Sequence, residues 1–303
     1  MIVRTNKNWL SMLFIWNGSV LQSIIPQLLF MTAVSLLAVF THGRIFGEKI
    51  PLNTAPFTLF GLALAIFLAF RNNASYARFN EARYLWGNLL TAARALTSQV
   101  QCYTPQETDK KRMTDLMIAF VYALKHQLRQ SDPTADLAPL LGERASRRLQ
   151  GKCYKPLAIL NEIRHNVGEM QRNKRITDTQ QWMMDAQLNQ LDLVVGGCER
   201  IVSTPIPFAY GVLLHRTVYA YCVLLPFGLV DSTEFFTPLL CVFISYTLIA
   251  LEAIAHQVAT PFGLAPNALA LDAITRTIER SVLELCDRPL PPELKPQRDY
   301  QLT

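Results

Sequence analysis

Four stretches of this chain carry almost no charge, and that limits its fold more than any other feature does. Residues 8–43, 50–70 and 235–251 hold no Asp, Glu, Lys or Arg, and from Ile201 to Val230 the only charge is Arg216. In lipid, an apolar run of about 20 residues has one stable local structure, an α-helix that satisfies its own backbone hydrogen bonds. The 14 uncharged residues from Thr217 to Val230 cover about 21 Å at helical rise, which lets Arg216 reach an interface. Four membrane helices are predicted, at 23–42, 55–71, 209–230 and 236–255. A cleavable signal peptide does not explain the first stretch, because 36 uncharged residues follow Arg4 and Lys7, too many for such a segment.

Composition agrees. Charged residues are 17% of the chain, against about 25% in an ordinary globular protein, and the mean hydropathy is +0.18. A 50% apolar content excludes a disordered chain. The six cysteines, at 102, 153, 198, 222, 241 and 286, lie far apart without CxxC spacing and read as reduced, buried packing thiols. Orientation follows from the basic residues beside the spans. Arg4 and Lys7 precede the first, and Arg71, Arg78 and Arg83 follow the second, whereas Asp231 and Glu234 sit between the third and fourth. Positive-inside counting puts both termini and the middle of the chain in the cytoplasm; only the loop with Arg44 and Lys49 runs against it.

Residues 71–206 carry 19 basic and 13 acidic residues, a net +6 that equals the charge of the whole chain. They read as a cytoplasmic helical bundle. Asn72 to about Val100 continues the second span directly. In Lys111–Arg129, Leu116, Ala119, Phe120, Ala123 and Leu124 form a helical stripe, which Ser131-Asp132-Pro133 ends. Thr177-x-x-Gln180 is a capping box that opens a helix running through Met183, Leu188, Leu191 and Val194 towards Ile201. Ala268–Leu285 reads as a last amphipathic helix, and Pro289–Pro296 as a disordered or draped tail. The expected parts are 1–71, an arm and two membrane helices; 72–206, the helical domain; 207–256, two more membrane helices; and 257–303, a C-terminal helix and tail.

Chemistry-bearing patterns are sparse. Leu62, Ile66 and Phe70 recur every fourth residue among Gly61, Ala63, Ala65 and Ala69. Such a stripe serves in a lipid-facing or core surface; around an axis it would form a hydrophobic constriction that gates by dewetting. Arg71-Asn72-Asn73 continue the helix as a watery vestibule would require. Glu162-x-x-His165 is half of a di-iron motif that needs a second copy, so no metal centre and no cofactor are expected. Glu252 and His256, one turn apart, read as an ion pair at the membrane boundary rather than a proton-handling site. Gly196-Gly197 reads as a close helix contact. GxSxG, GxGxxG and GxxxxGK[ST] are absent, and the chain does not read as an enzyme.

RNNASYARFNEARYLWG at 71–87, KHQLRQSDPTADL at 125–137, GGCERIVSTPIPFAY at 196–210, TPFG at 260–263 and TIER at 277–280 resemble the bacterial bestrophin homologues, in order and across almost the whole chain. The resemblance implies an all-α, polytopic homopentamer with four membrane helices per protomer and one central pore. It implies a hydrophobic neck at Leu62, Ile66 and Phe70 and a cytosolic aperture at Thr179, where an apolar residue is usual. Its partners are then its own copies, membrane lipids and permeant monovalent ions, with no nucleic acid. Chloride is the family expectation. A monovalent cation channel of the same architecture and a non-conducting membrane scaffold are the alternatives.

One departure bears on regulation. The calcium clasp of eukaryotic bestrophins uses acidic residues after the fourth span, but no carboxylate lies between Glu252 and Asp272 here. Neutral oxygens from Gln257, Thr260 and Asn267 hold calcium weakly. Micromolar calcium, or a chelator, is therefore expected to leave a reconstituted current unchanged; a steep dependence abolished by Asn267→Ala or Thr260→Ala would show a site completed by backbone carbonyls.

Overall fold

The computed structural model describes residues 1–3, 8–13, 15–16, 18–45, 48–49, 54–297 and 300–303; Arg4 and Lys7, used above to orient the chain, lie outside them. Eleven helices are described: α1 (Trp9–Leu13), α2 (Leu21–Phe40), α3 (Thr54–Tyr103), α4 (Glu107–Arg129), α5 (Thr134–Leu141), α6 (Glu143–Gln150), α7 (Lys155–Arg172), α8 (Asp178–Ser203), α9 (Phe208–Thr233), α10 (Thr237–Ala259) and α11 (Leu271–Glu284). Among the described residues the extended pairings are a two-residue hairpin, Arg44–Ile45 antiparallel with Glu48–Lys49, and an isolated antiparallel bridge between Ile2 and Gln301. The chain divides into an apolar unit, Arg4–Phe79 with Pro205–Pro261, and a polar unit, Met1–Val3, Asn80–Thr204 and Phe262–Thr303.

Among the described residues, three helical stretches are long and apolar enough to cross a membrane: Leu21–Phe40, Ala55–Tyr103 and Phe208–Ala259. The last contains two helices, α9 and α10, joined by a 3-10 turn at Glu234–Phe236. Glu234 at φ 42° ends α9. The fully buried Thr237 then donates to the Glu234 carbonyl at 2.6 Å and shares a hydrogen bond with Thr233 at 2.9 Å. Pro238 follows in the first turn of α10, where a missing N–H costs nothing.

The core of the apolar unit joins Ile24 and Met31 of α2, Leu64 and Leu68 of α3, Val218, Cys222 and Leu225 of α9, and Cys241 and Ile249 of α10. Most hydroxyls in these helices satisfy themselves locally. Thr32, Ser35, Thr217 and Thr247 each return a hydroxyl to the carbonyl four residues earlier, at 2.8–3.0 Å, which satisfies them within their own helices, whereas Gln27 Oε1, Ser75 Oγ and Ser245 Oγ are buried without a hydrogen-bond partner.

The polar unit is organised around α4. The stripe expected there is too narrow: Met117, Ile118 and Val121 are as buried as Leu116 and Phe120. A helix apolar on all sides is a central one, and α5, α7, α8 and α11 all pack against it. Next to it, α8 runs antiparallel to the second half of α3. Gly197 meets Leu85, Arg200 pairs with Glu81, and Met183 lies beside the Tyr103 hydroxyl at 3.9 Å. A Cβ on Gly197 would stand 2.8 Å from the Leu85 side chain, which is the close contact expected of that glycine. The last helix starts at Leu271, three residues later than predicted, and ends one residue early. The tail is draped: Arg288 pairs with Asp115 at 2.6 Å, Arg280 donates to the Pro291 carbonyl, and Ala273 N–H donates to the Thr303 carbonyl at 2.9 Å.

Charge does enter this core, as one network. The Lys125 ammonium, its side chain 10% exposed, lies 3.2 Å from both Asp136 and Asp272; Arg129 holds Asp272 at 2.6 Å, and His126 holds Asp136 at 2.8 Å. Burial raises the affinity of each carboxyl for a proton. For Asp136 the bonds to His126 and Lys125 outweigh it, and for Asp272 those to Arg129 and Lys125 do, leaving both below the ordinary carboxylate value. A depressed carboxyl contributes stability above the unfolded-state value, and that contribution disappears as pH falls below about 4. Asp272→Asn is expected to cost about 3 kcal/mol at neutral pH, the low end for breaking a buried pair. Thermal unfolding in detergent from neutral pH to about 3 should show the variant melting lower and losing less on acidification than the parent.

Candidate functional site

Helix α3 has two faces. Leu64 and Leu68, 2% and 1% exposed, point into the apolar core, while Leu62, Ile66 and Phe70 are 62%, 48% and 68% exposed on the opposite side. At 3.6 residues per turn, the line through Leu62, Ile66 and Phe70 continues down the same helix through Asn73, Ala77, Asn80, Tyr84, Thr91, Ser98 and Cys102. Each of these is exposed. The line therefore changes from large and apolar to mostly polar, and exposed Arg94 borders it on the turn between Thr91 and Ser98. Of the three polar residues expected to follow the stripe, only Asn73 stays on it. Asn72 donates to the Leu68 carbonyl at 2.9 Å, and Arg71 turns back to Glu252 at 3.5 Å.

Thr179 is the second residue of α8 and is exposed. Its helix start is held by the reciprocal cap read from the sequence: Gln180 N–H donates to Thr177 Oγ1 at 3.2 Å, and Thr177 N–H donates to Gln180 Oε1 at 2.9 Å. Since Met183 lies beside Tyr103, the antiparallel pairing puts Thr179 at the Cys102 end of α3.

The expected Glu252–His256 pair is replaced by another. Glu252 Oε1 holds Arg71 and, at 2.9 Å, His215 Nδ1, whereas His256 is exposed one turn further on. Sequence spacing sees neighbours on one helix, and these partners come from two others. Glu162 pairs with Arg112 and His165 with Glu169, and among the described residues no three His, Cys, Asp or Glu cluster as metal ligands. A Ser–His–Asp chain that sequence reasoning missed joins Ser131 Oγ to His126 Nδ1 at 2.7 Å and His126 Nε2 to Asp136 at 2.8 Å. It follows Gln130 at φ 53° and ties the corner between α4 and α5, with Asp136 shared with Lys125.

The cysteines divide where one class was expected. All six are free, but only Cys198, Cys222 and Cys241 are buried; Cys102 and Cys153 are exposed. Burial, with the charges of Glu199 and Glu81 beside it, pushes the Cys198 thiol up to about 12.

An all-helical chain with apolar spans, a two-faced α3 and a capped α8 is a membrane protein of a recognisable kind. The profile of the family described as Bacterial/Fungal Bestrophin protein matches residues 1–284, and the chain belongs to that family. It is 43% identical over 293 residues to a voltage-dependent anion channel-forming protein of Ralstonia nicotianae, covering 95% of both chains. It is 40% identical over 304 residues to the voltage-dependent anion channel-forming protein YneE of Escherichia coli, covering all of both. The crystal structure of a bacterial bestrophin homologue from Klebsiella pneumoniae superposes with a TM-score of 0.85 at 42% identity, covering 88% of this chain and 99% of that one.

The thiol environments set an order of reactivity, because the thiolate is the reactive form and must be reachable. In native protein a maleimide is expected to modify Cys102 and Cys153 first, and Cys198, Cys222 and Cys241 only after denaturation. Mass mapping of labelled peptides checks this; early labelling of Cys198 would contradict the burial described.

Proposed function

We propose that this bestrophin is an anion channel of the bacterial inner membrane, a homopentamer with four membrane helices per protomer and both termini in the cytoplasm. One central pore runs along the exposed face of α3. The carrying observation is the change of character along that face. A lipid-facing surface stays apolar, whereas this line passes from Leu62, Ile66 and Phe70 to Asn73, Asn80 and Tyr84, all exposed, as a throat opening into a wet vestibule does. A single copy encloses nothing, so the face needs a ring of identical copies about an axis.

In this reading the three apolar residues form the neck, which closes by expelling water rather than by a charged plug. Thr179 forms a second constriction, and its hydroxyl makes that point easier to wet than an apolar side chain would. On α3 the wall between them is mostly neutral, with exposed Arg94 at its border, so ion sign is set mainly by the wider field. The net +6 of residues 71–206 concentrates anions near the pathway. The near full-length relatives named as anion channel-forming support the same sign. Lipid and permeant ions are the only other partners this mechanism needs.

Purified protein in planar bilayers under a potassium chloride gradient is expected to conduct, with reversal near the chloride equilibrium potential. Ile66→Ala removes apolar surface worth about 0.8 kcal/mol per methylene at each copy in the ring, and is expected to raise open probability. Silence from well-folded protein, or native mass spectrometry showing a stable monomer, would overturn the pore; reversal near the potassium potential would overturn the ion sign alone.

A further inference from the structure

We propose that Glu252 is the positioning residue of the neck, holding Phe70 in place through Arg71; this rests on the pore reading above. Phe70 and Arg71 are consecutive on α3, so their side chains leave the helix about 100° apart. Phe70 is 68% exposed on the outer face, while the Arg71 side chain is 11% exposed and turned into the apolar unit. Where Arg71 is held, the rotation of that helical turn is fixed, and with it the direction of the Phe70 ring.

What holds Arg71 is one carboxylate. Its Nη1 lies 3.5 Å from Glu252 Oε1, and the same oxygen takes His215 Nδ1 at 2.9 Å. Three helices, α3, α9 and α10, therefore meet on a side chain that is 12% exposed. His215 is steadied by its ring against Tyr219, with centroids 4.4 Å apart. The guanidinium also lies beside α9, where a Cβ on Gly211 would stand in ordinary contact, 3.9 Å from Nη2. Glu252 is the only carboxylate from Phe235 to Leu271. A buried charge is a poor device for packing, which an apolar side chain of the same size performs as well or better. Its value lies in direction: it draws one guanidinium to one place. The contact is long and its oxygen is shared, so the tie is one that can loosen. Without the charge, Arg71 is left unpaired in apolar surroundings and turns out towards water, taking the Phe70 turn with it and making the throat easier to wet.

Single-channel recording in planar bilayers tests this. Glu252→Gln keeps the shape and removes the charge, and is expected to raise open probability roughly fivefold, the low end of ordinary coupling between a site and a conformational equilibrium. Arg71→Gln should do the same, Arg71→Lys should restore most of the closed behaviour, and the double Glu252→Gln, Arg71→Gln variant should exceed neither single one. On an Ile66→Ala background, where the throat already wets, Glu252→Gln should add nothing. Glu252→Gln and Arg71→Gln channels that assemble normally and gate like the parent would overturn the proposal, as would effects that add in the double variant and persist on the Ile66→Ala background. Should Glu252→Gln not assemble, Arg71→Gln and Arg71→Lys decide, equal open probabilities counting against it. A parent that conducts but ignores Ile66→Ala defeats the neck itself, which is a separate failure.

Discussion

The burial of Leu64 and Leu68 orients everything else in the apolar unit. Packed against Met31, Val218, Cys222 and Ile249, they fix the roll of α3 about its axis. Residues two positions away on either side must then point outward. The exposure of Leu62 and Ile66 is thus a consequence of the core, which the protomer cannot undo without giving up its own packing, while the turn at Phe70 lies beyond Leu68 and takes its direction from Arg71 as well. The same roll determines which residues further along the helix lie on the outer line.

Polar groups are handled differently in the two units. In the apolar one, most hydroxyls bond back into their own helix and the buried carboxylate Glu252 is matched at once by Arg71 and His215. In the polar one, a charge network reaches the centre, where Lys125 is shared between Asp136 and Asp272. Both arrangements obey one rule: a charge leaves water only with its partners. They differ in extent. The central network joins two acids through Lys125, whereas Glu252 gathers Arg71 and His215 by itself.

Much of this could be read before any coordinates. Charge-free runs locate α2, α9 and α10, and the lack of any breaker but Gly87 after Phe70 foretells that the second span runs on to about Val100, close to the observed end of α3 at Tyr103, because these signals are local. The Thr177 cap was visible for the same reason. What escaped depends on neighbours distant in sequence. The partners of Glu252 lie on α3 and α9, the burial of Ile118 and Val121 follows from four helices packing around α4, and the exposure of Cys102 follows from the roll of α3. Short helices α5 and α6 carry little periodicity to recognise, whereas the 18-residue α7, with Ile159, Leu160, Ile163, Val167 and Met170 at helical spacing, was legible and passed over. Spacing marked Leu62, Ile66 and Phe70 as a stripe, but their place in a throat came from the resemblance, and Thr179 had no signal of its own at all.

Thr179 sits inside a helix start that it does nothing to build. The reciprocal hydrogen bonds belong to Thr177 and Gln180, and the side chain between them faces outward without a structural duty. Such a position is free to drift. Descendants of one ancestral chain could exchange hydroxyl, methyl or bulk there in a single mutational step, keeping the backbone, the stability and the assembly intact. The frame around this residue therefore supplies evolution with a point of adjustment that selection can turn without first having to rebuild the protein.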